Sequence, residues 1–209
     1  AKSPPDGYTL LLNSAGTHAI LPSVDRKLPY DSVKDFTPIA NLVEGFTFIG
    51  ATSSLNVTDV AGLVKLAKEK PGTIGYATSG VGTNQHILGE WFKRETGLAG
   101  LIHVPYRGAA PALQDVMASQ ADMAFDPGIA FPHIKSGKVK LLAVASDKKS
   151  PFFPDVPTYA DLGIKDASLD IWFGVWVPNN TPVEVTARLS RELSKVLAGP
   201  ALKQRFGDL

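Results

Sequence analysis

The sequence predicts an α/β fold with mostly parallel sheets, and three observations carry that expectation. Short apolar, β-prone runs alternate with stretches of helical periodicity along most of the chain. Several of the strand-like runs end in a turn of small residues that leads straight into a helical stretch. The composition, 44% hydrophobic and 20% charged in 209 residues, suits a folded chain that buries a sizeable core.

The elements follow in order. Residues 2–7, Lys-Ser-Pro-Pro-Asp-Gly, form a turn, and 8–12, Tyr-Thr-Leu-Leu-Leu, read as a buried-type strand. A small-residue turn at 13–18 leads into a short helix. The next strand falls on 46–50. Thr58 stands where it can cap a helix over 59–70, with Val60, Leu63, Val64 and Ala67 on one face and Pro71-Gly72 as the stop. A strand at 73–77 precedes a helix over 83–95, whose apolar side is Ile87, Leu88, Trp91 and Phe92. Residues 101–104 are a strand, and 105–108 turn into a helix with Pro111 near its first turn. A short buried strand at 122–126 ends at Pro127-Gly128. The run 139–145 is the strongest strand signal, six of its seven residues being apolar. Residues 147–159 are Pro-rich and irregular, and 171–177 are aromatic and β-prone. Thr181-Pro182-Val183-Glu184 has the form of a capping box with proline at the first helical position, opening a helix to about residue 198. The abrupt first strand and the ending at 205–209 read as a fragment.

Composition excludes several classes of function. There are 21 basic and 20 acidic residues, a net charge of +1, and no basic stripe interleaved with aromatics, so a nucleic-acid partner is not expected. The absence of cysteine rules out a disulfide framework, a zinc-thiolate site and a thiol nucleophile. No apolar run approaches the ~20 residues that span a bilayer.

Residues 75–86, Gly-Tyr-Ala-Thr-Ser-Gly-Val-Gly-Thr-Asn-Gln-His, carry the most information. A glycine-rich turn that enters a helix presents backbone N–H groups at the positive end of the helix dipole, where a carboxylate or phosphate can sit. The turn has no third glycine for a dinucleotide fingerprint and no Gly-Lys-Ser/Thr for a P-loop, so it speaks for a small anion rather than a nucleotide. The same residues also suit an ordinary strand–turn–helix joint. Similar turns at 13–17, 105–108 and 126–128 strengthen the ligand reading, because ligands gather at the carboxyl ends of strands in α/β sheets.

Catalytic constellations do not assemble. Ser79 lacks the Gly-x-Ser-x-Gly elbow. His86 and Glu90 lie four apart without the second histidine of a zinc-protease helix. The histidines at 18, 86, 103 and 133 have no metal-ligand spacing, which favours hydrogen-bonding or packing roles. Asp126 either caps the turn after its strand or aims an acceptor at a ligand. Arg107 suits a bidentate carboxylate contact and equally a surface ion pair. Trp91 reads as core. Trp172 and Trp176 share one strand face, as core or as the wall of a ligand cleft.

Several segments together resemble the Bug family, the extracytoplasmic receptors of tripartite tricarboxylate transporters. They are Pro5-Asp6-Gly7-Tyr8-Thr9-Leu10-Leu11, Gly16-Thr17-His18-Ala19-Ile20, Leu28-Pro29-Tyr30-Asp31, Lys34-Asp35-Phe36-Thr37-Pro38 and Tyr76-Ala77-Thr78-Ser79-Gly80. The pattern continues through Gly82-Thr83-Asn84-Gln85-His86, His103-Val104-Pro105-Tyr106-Arg107-Gly108, Ala110-Pro111-Ala112-Leu113, Phe125-Asp126, Asp155-Val156-Pro157-Thr158 and Trp172-Phe173-Gly174. The resemblance implies a type II periplasmic-binding-protein-like architecture of two α/β lobes that close on a small organic acid. It implies a receptor, not an enzyme, located in the periplasm, not inserted in the membrane, delivering its ligand to transporter subunits and using no cofactor or metal. Residues 1–52 and 171–209 would form lobe one and 53–170 lobe two. Ligand contacts would come from Ser14, Gly16, Thr17 and His18, and from Ser79, Gly80, Val81, Gly82 and Thr83. Tyr106, Arg107, Gly108 and Asp126 would add to them, Asp126 favouring a ligand hydroxyl or amine over a second carboxylate. Against the family pattern, an upstream strand with its Pro-Gly-Gly turn and the closing C-terminal strand and helix are expected to be missing. That would leave lobe one incomplete, with an open sheet edge that invites association and a weakened site. Two other classes stay in view: a ligand-sensing domain of a regulator, though no helix-turn-helix is visible, and an enzyme using the 79–83 turn as an oxyanion site, though no convergent base is found.

Overall fold

The computed structural model describes residues 1–25, 27–165, 167, 169 and 171–202. In chain order its elements are β1 (Leu11–Ser14), a π-helical turn (Gly16–Ile20), α1 (Leu21–Val24), β2 (Phe36–Gly45), β3 (Phe48–Thr52), α2 (Val60–Glu69), β4 (Gly75–Thr78) and α3 (Asn84–Thr96). They continue with β5 (Ile102–Pro105), α4 (Ala109–Met117), β6 (Met123–Asp126), α5 (Phe131–Lys135), β7 (Val139–Val144), β8 (Ile171–Pro178) and α6 (Val183–Ala198). The chain divides into two compact units, Ala1–Glu44 with the segment from Ile171 onward, and Gly45–Asp170. Residues 203–209, assigned to lobe one, lie outside the described residues.

The Gly45–Asp170 unit is built on a five-stranded sheet in the order β5-β4-β6-β3-β7. The expected parallel pairing covers β5, β4 and β6, whereas β3 runs antiparallel to both β6 and β7. That pairing moves the expected boundary at 52/53 to 44/45, because β3 is a central strand of this sheet rather than part of the other unit. β3 is buried along its whole length, as a strand with neighbours on both sides and packed faces must be. Two helices show how the apolar spacing becomes burial. Val60, Leu63 and Ala67 of α2 and Leu88 and Phe92 of α3 join Ile49, Tyr76, Met123, Phe125 and Leu142 in the main core. Asp59, rather than Thr58, caps α2, its carboxylate accepting from the Gly62 amide at 2.7 Å. Thr83 caps α3, and Gly97 ends it in the left-handed conformation.

α3 lies directly on β4 because residue 89 is glycine. A Cβ there would come 2.4 Å from Cε2 of Tyr76, whose ring is fully buried beneath the helix. The ring has nowhere to go: it meets Phe125 edge-on at 5.5 Å and stacks on His103 at 4.9 Å.

The unit formed by Ala1–Glu44 and the segment from Ile171 carries a three-stranded sheet, β1-β8-β2, with β1 antiparallel to β8. Here the sequence reading needs three corrections. The first strand spans Leu11–Ser14 rather than 8–12, and it is not buried: Tyr8 is 91% and Leu12 64% exposed, β1 being an outer strand with one paired edge. The ten-residue β2 has no counterpart in the expected elements, because Pro38 and Asn41 interrupt its apolar pattern; as an outer strand it tolerates the proline. The capping box at 181–184 does not form. α6 begins one residue later, and the Thr181 hydroxyl donates to the Pro178 carbonyl at 2.7 Å. β8 is the central strand, and its Val175 and Val177 pack with Ile39, Leu189 and Leu193.

Substituting Gly89→Ala drives a methyl into an immobile ring and is expected to cost about 2 kcal/mol, as overpacking of a filled core does. A fall in the urea midpoint at unchanged m-value is the measurement that checks it.

Candidate anion-binding turns

The 79–83 turn joins β4 to α3, and its glycines are needed for its shape. Gly80 and Gly82 have φ of +134° and +79°, conformations that L side chains rarely adopt. A Cβ on Gly80 would also stand 3.3 Å from the Tyr106 carbonyl oxygen. The turn is tied down internally. The Thr83 hydroxyl donates to the Gly80 carbonyl at 2.8 Å and accepts from the His86 amide at 3.4 Å. The Ser79 hydroxyl donates to Gln85 Oε1 at 3.0 Å. Two of the amides that the sequence leaves open for an anion are already engaged: Gly80 N–H donates to Thr78 Oγ1 at 3.3 Å, and Gly82 N–H donates to His86 Nδ1 at 3.2 Å. Val81 points outward, 69% exposed.

Neighbouring turns assemble around this one. Strands β5, β4 and β6 run parallel, with Thr78 opposite Pro105 and Ala77 opposite Ala124, so their carboxyl ends lie side by side. The Tyr106 amide donates to the Thr78 carbonyl at 3.0 Å, which fixes the 105–108 turn against the 79–83 turn. Gly108 caps α4 at φ +127°. Arg107 is exposed and has no hydrogen-bond or ion-pair partner among the described residues. The Tyr106 hydroxyl is directed at Asp115 Oδ2, 2.7 Å away, and burial, then Asp115, pushes its pKa up to about 12. Asp126 is 3% exposed, and its Oδ1 accepts from the Gly128 and Ala130 amides at 2.7 and 3.0 Å. Burial raises its pKa despite those amides. Of the two roles open to Asp126, capping the following turn is the one its contacts display.

In the other unit, Ser14, Gly16, Thr17 and His18 form the turn after β1. The Thr17 hydroxyl bonds Asn13 Oδ1 and lies 3.4 Å from Ser14 Oγ, and the Tyr30 hydroxyl donates to the Thr17 carbonyl at 2.6 Å. His18 stacks on Trp176 with centroids 4.5 Å apart, and its Nδ1 lies 3.3 Å from Asn13 Nδ2. Burial lowers its pKa. Trp172 and Trp176, assigned to one strand face, meet at 5.5 Å.

Behind the 79–83 turn stands an aromatic column that sequence reasoning resolved only as separate histidines. His86 stacks on His103 at 4.2 Å, and His103 on Tyr76. His103 Nε2 lies 2.7 Å from Thr78 Oγ1, and the Tyr76 hydroxyl donates to Glu90, which pairs with Lys93 at 3.0 Å. Burial, then the neighbouring His86, brings the His103 pKa down to about 4, and burial lowers that of His86. Burial pushes Glu90 up, but the Tyr76 hydroxyl and Lys93 hold its carboxyl below the usual range. Helical spacing alone puts His86 and Glu90 on one face; the pairing with His103 needs the β4–β5 register. Among the described residues no group of three or more His, Asp or Glu side chains is arranged to hold a metal ion, and no helix is long and apolar enough to cross a membrane.

Two α/β units whose strands end in small-residue turns match the periplasmic-binding-protein-like fold of solved relatives. The family model of the tripartite tricarboxylate transporter family receptor matches residues 1–208, and the chain belongs to that family. It is 35% identical over 214 residues to a UPF0065 protein of Pseudomonas sp. strain P51, covering 98% of this chain and 62% of that protein. It is 32% identical over 209 residues to BugT of Bordetella pertussis, covering 99% and 64%. The chain thus spans less than two thirds of these curated relatives. Among solved structures, MatC of Rhodopseudomonas palustris with bound malate superposes with a TM-score of 0.90 at 29% identity, covering 99% of this chain and 70% of that one. Rpa4515 of R. palustris with adipate gives 0.89 at 32%, covering 96% and 67%.

The lowered histidines set a pH dependence of stability. His103 takes a proton near pH 6.5 when unfolded but only near pH 4 when folded, so the unfolded chain binds more protons between those values. Stability is therefore expected to fall as pH drops from about 6.5 to about 4, and to fall less in His103→Gln. Urea midpoints across that range measure the difference in slope.

Proposed function

We propose that this chain is part of a periplasmic solute receptor that binds a small organic carboxylate and delivers it to a membrane transporter. Membership of the receptor family supports the class, and relatives solved with malate and adipate support a carboxylate ligand. The observation that carries the reading is the 79–83 turn, held rigidly at the positive end of the α3 dipole beside the turn that bears Arg107. Backbone N–H groups would bind one carboxylate without a buried counter-charge, the Ser79 and Thr83 hydroxyls joining them by turning from Gln85 and the Gly80 carbonyl. Arg107, exposed and unpaired, would draw anions in and meet a carboxylate with its guanidinium fork. The 14–18 turn of the other unit, with its Ser14 and Thr17 hydroxyls and the His18–Trp176 stack, is a second polar turn of the same kind. In this reading Tyr106 and Asp126 position the turns rather than touch the ligand, because their polar atoms already bond Asp115 and the Gly128 and Ala130 amides.

Thermal shift with adipate, malate, acetate and inorganic phosphate tests the proposal on the whole chain. A carboxylate at 100 times its dissociation constant is expected to add about 2.7 kcal/mol of stability and raise Tm by several degrees. No stabilisation by any of the carboxylates would sink the receptor reading, and a response to phosphate alone would redirect it. Replacing Thr83 with Ala should weaken carboxylate binding about tenfold by removing a hydroxyl and a helix cap together. Calorimetric titration beside a urea melt separates those two losses.

A further inference from the structure

Each glycine of the 79–83 turn is held by a histidine, one directly and one through a hydroxyl. Gly82 N–H donates to His86 Nδ1 at 3.2 Å. Gly80 N–H donates to Thr78 Oγ1 at 3.3 Å, and that oxygen lies 2.7 Å from His103 Nε2. The two imidazoles stack at 4.2 Å, 20° from parallel, so both are oriented by one column. The contacts differ in what a proton does to them. An amide N–H can donate to Nδ1 of His86 only while that nitrogen is bare, which puts the ring proton on Nε2. Protonating Nδ1 sets N–H against N–H and breaks the contact. A protonated His103, by contrast, can still donate from Nε2 to the Thr78 hydroxyl oxygen.

We propose that His86 is a positioning residue for carboxylate binding: its bare Nδ1 pins the Gly82 amide, and a proton on that ring unpins the turn and releases the ligand. This rests on the receptor reading given above. Three titratable or charged groups bear on the ring: His103 on β5, stacked against it and backed in turn by Tyr76 on β4, and Glu90 and Lys93 on its own helix. Glu90 favours the charged ring, but burial opposes it more strongly and Lys93 adds to the opposition, so the ring stays neutral at neutral pH. Glu90 is in any case engaged by the Tyr76 hydroxyl and by Lys93. The device therefore acts below the ordinary histidine range.

Two substitutions separate the pinning contact from the stack. His86→Phe keeps an aromatic ring against His103 and removes the acceptor. His86→Asn places an amide oxygen near the Nδ1 position, keeping an acceptor that does not titrate. Titrations with adipate and malate at about pH 7.5 should show His86→Phe weakened roughly tenfold, the effect of one lost net hydrogen bond, and His86→Asn restored to within about threefold of the parent. Between about pH 7.5 and pH 5.5 the parent should lose affinity relative to His86→Asn, a ratio in which the ligand's own protonation cancels. Affinity that rises in the parent, or a His86→Phe protein that binds like the parent, overturns the proposal. The ligand-free protein gives an independent readout: the Gly82 amide resonance should titrate together with the His86 ring and lose that titration in both variants. A Gly82 amide indifferent to the ring overturns the pinning. If no carboxylate binds at any pH while Gly82 still titrates with His86, the receptor reading falls and the pinning stands.

Discussion

The close approach of α3 to β4 is the constraint on which the rest of the Gly45–Asp170 unit depends. A residue with any side chain at position 89 would hold the helix off the sheet, since Tyr76 fills the space beneath it. With glycine there, the tyrosine ring is enclosed by helix, His103 and Phe125, and its hydroxyl reaches Glu90, the next residue of the same helix. A helix seated this low leaves only the residues between Thr78 and Asn84 to bridge strand and helix. The bridge has to pass through positive φ twice, and glycine occupies both positions.

That tight bridge changes what the turn can offer an anion. An idealised helix start presents its first free amides outward. Here the turn spends two of its amides on Thr78 and His86, and the Thr83 hydroxyl closes it further by donating to Gly80. Rigidity is what those internal bonds provide. A turn already fixed loses little conformational freedom when a ligand arrives, and preorganisation of this kind converts more of the contact energy into affinity. The dipole of the thirteen-residue α3 remains, and so does the adjacent turn held through the Tyr106 amide.

Much of this was legible in the sequence, and the limits have physical causes. Helices with clear caps and a 3.6-residue apolar repeat, α2 and α3, came out within a residue or two, because local spacing determines them. β7 also showed although it ends its sheet, because all of its residues but Lys140 are apolar. The outer strands of the three-stranded sheet did not. β2 carries a proline and polar residues that suit an edge position, and β1 looks buried by composition yet has no buried residue. The glycine turn between strand and helix was readable, with a helix start that could seat an anion, but the engagement of its amides by Thr78 and His86 was not. Hydrogen bonds between residues 78 and 103, or stacking between 86 and 103, depend on the parallel register of β4 and β5, which no local pattern encodes.

The same register explains why charge is so sparingly used near the turn. His86 and His103 sit against each other at 4.2 Å, so a proton on either raises the cost of a proton on the other, and burial adds to it. Asp126, at the end of the neighbouring parallel strand, is buried and turned to its own loop, its Oδ1 accepting from two backbone amides. Arg107 is left as the unpaired cation at these strand ends, and it stands in solvent, where its long-range attraction persists but its contact energy is screened. Under the proposed receptor reading, an anion arriving here would be met mainly by dipoles fixed in place beforehand. Recognition built that way would favour ligands whose carboxylate fits the geometry of the turn over ligands that merely carry more charge.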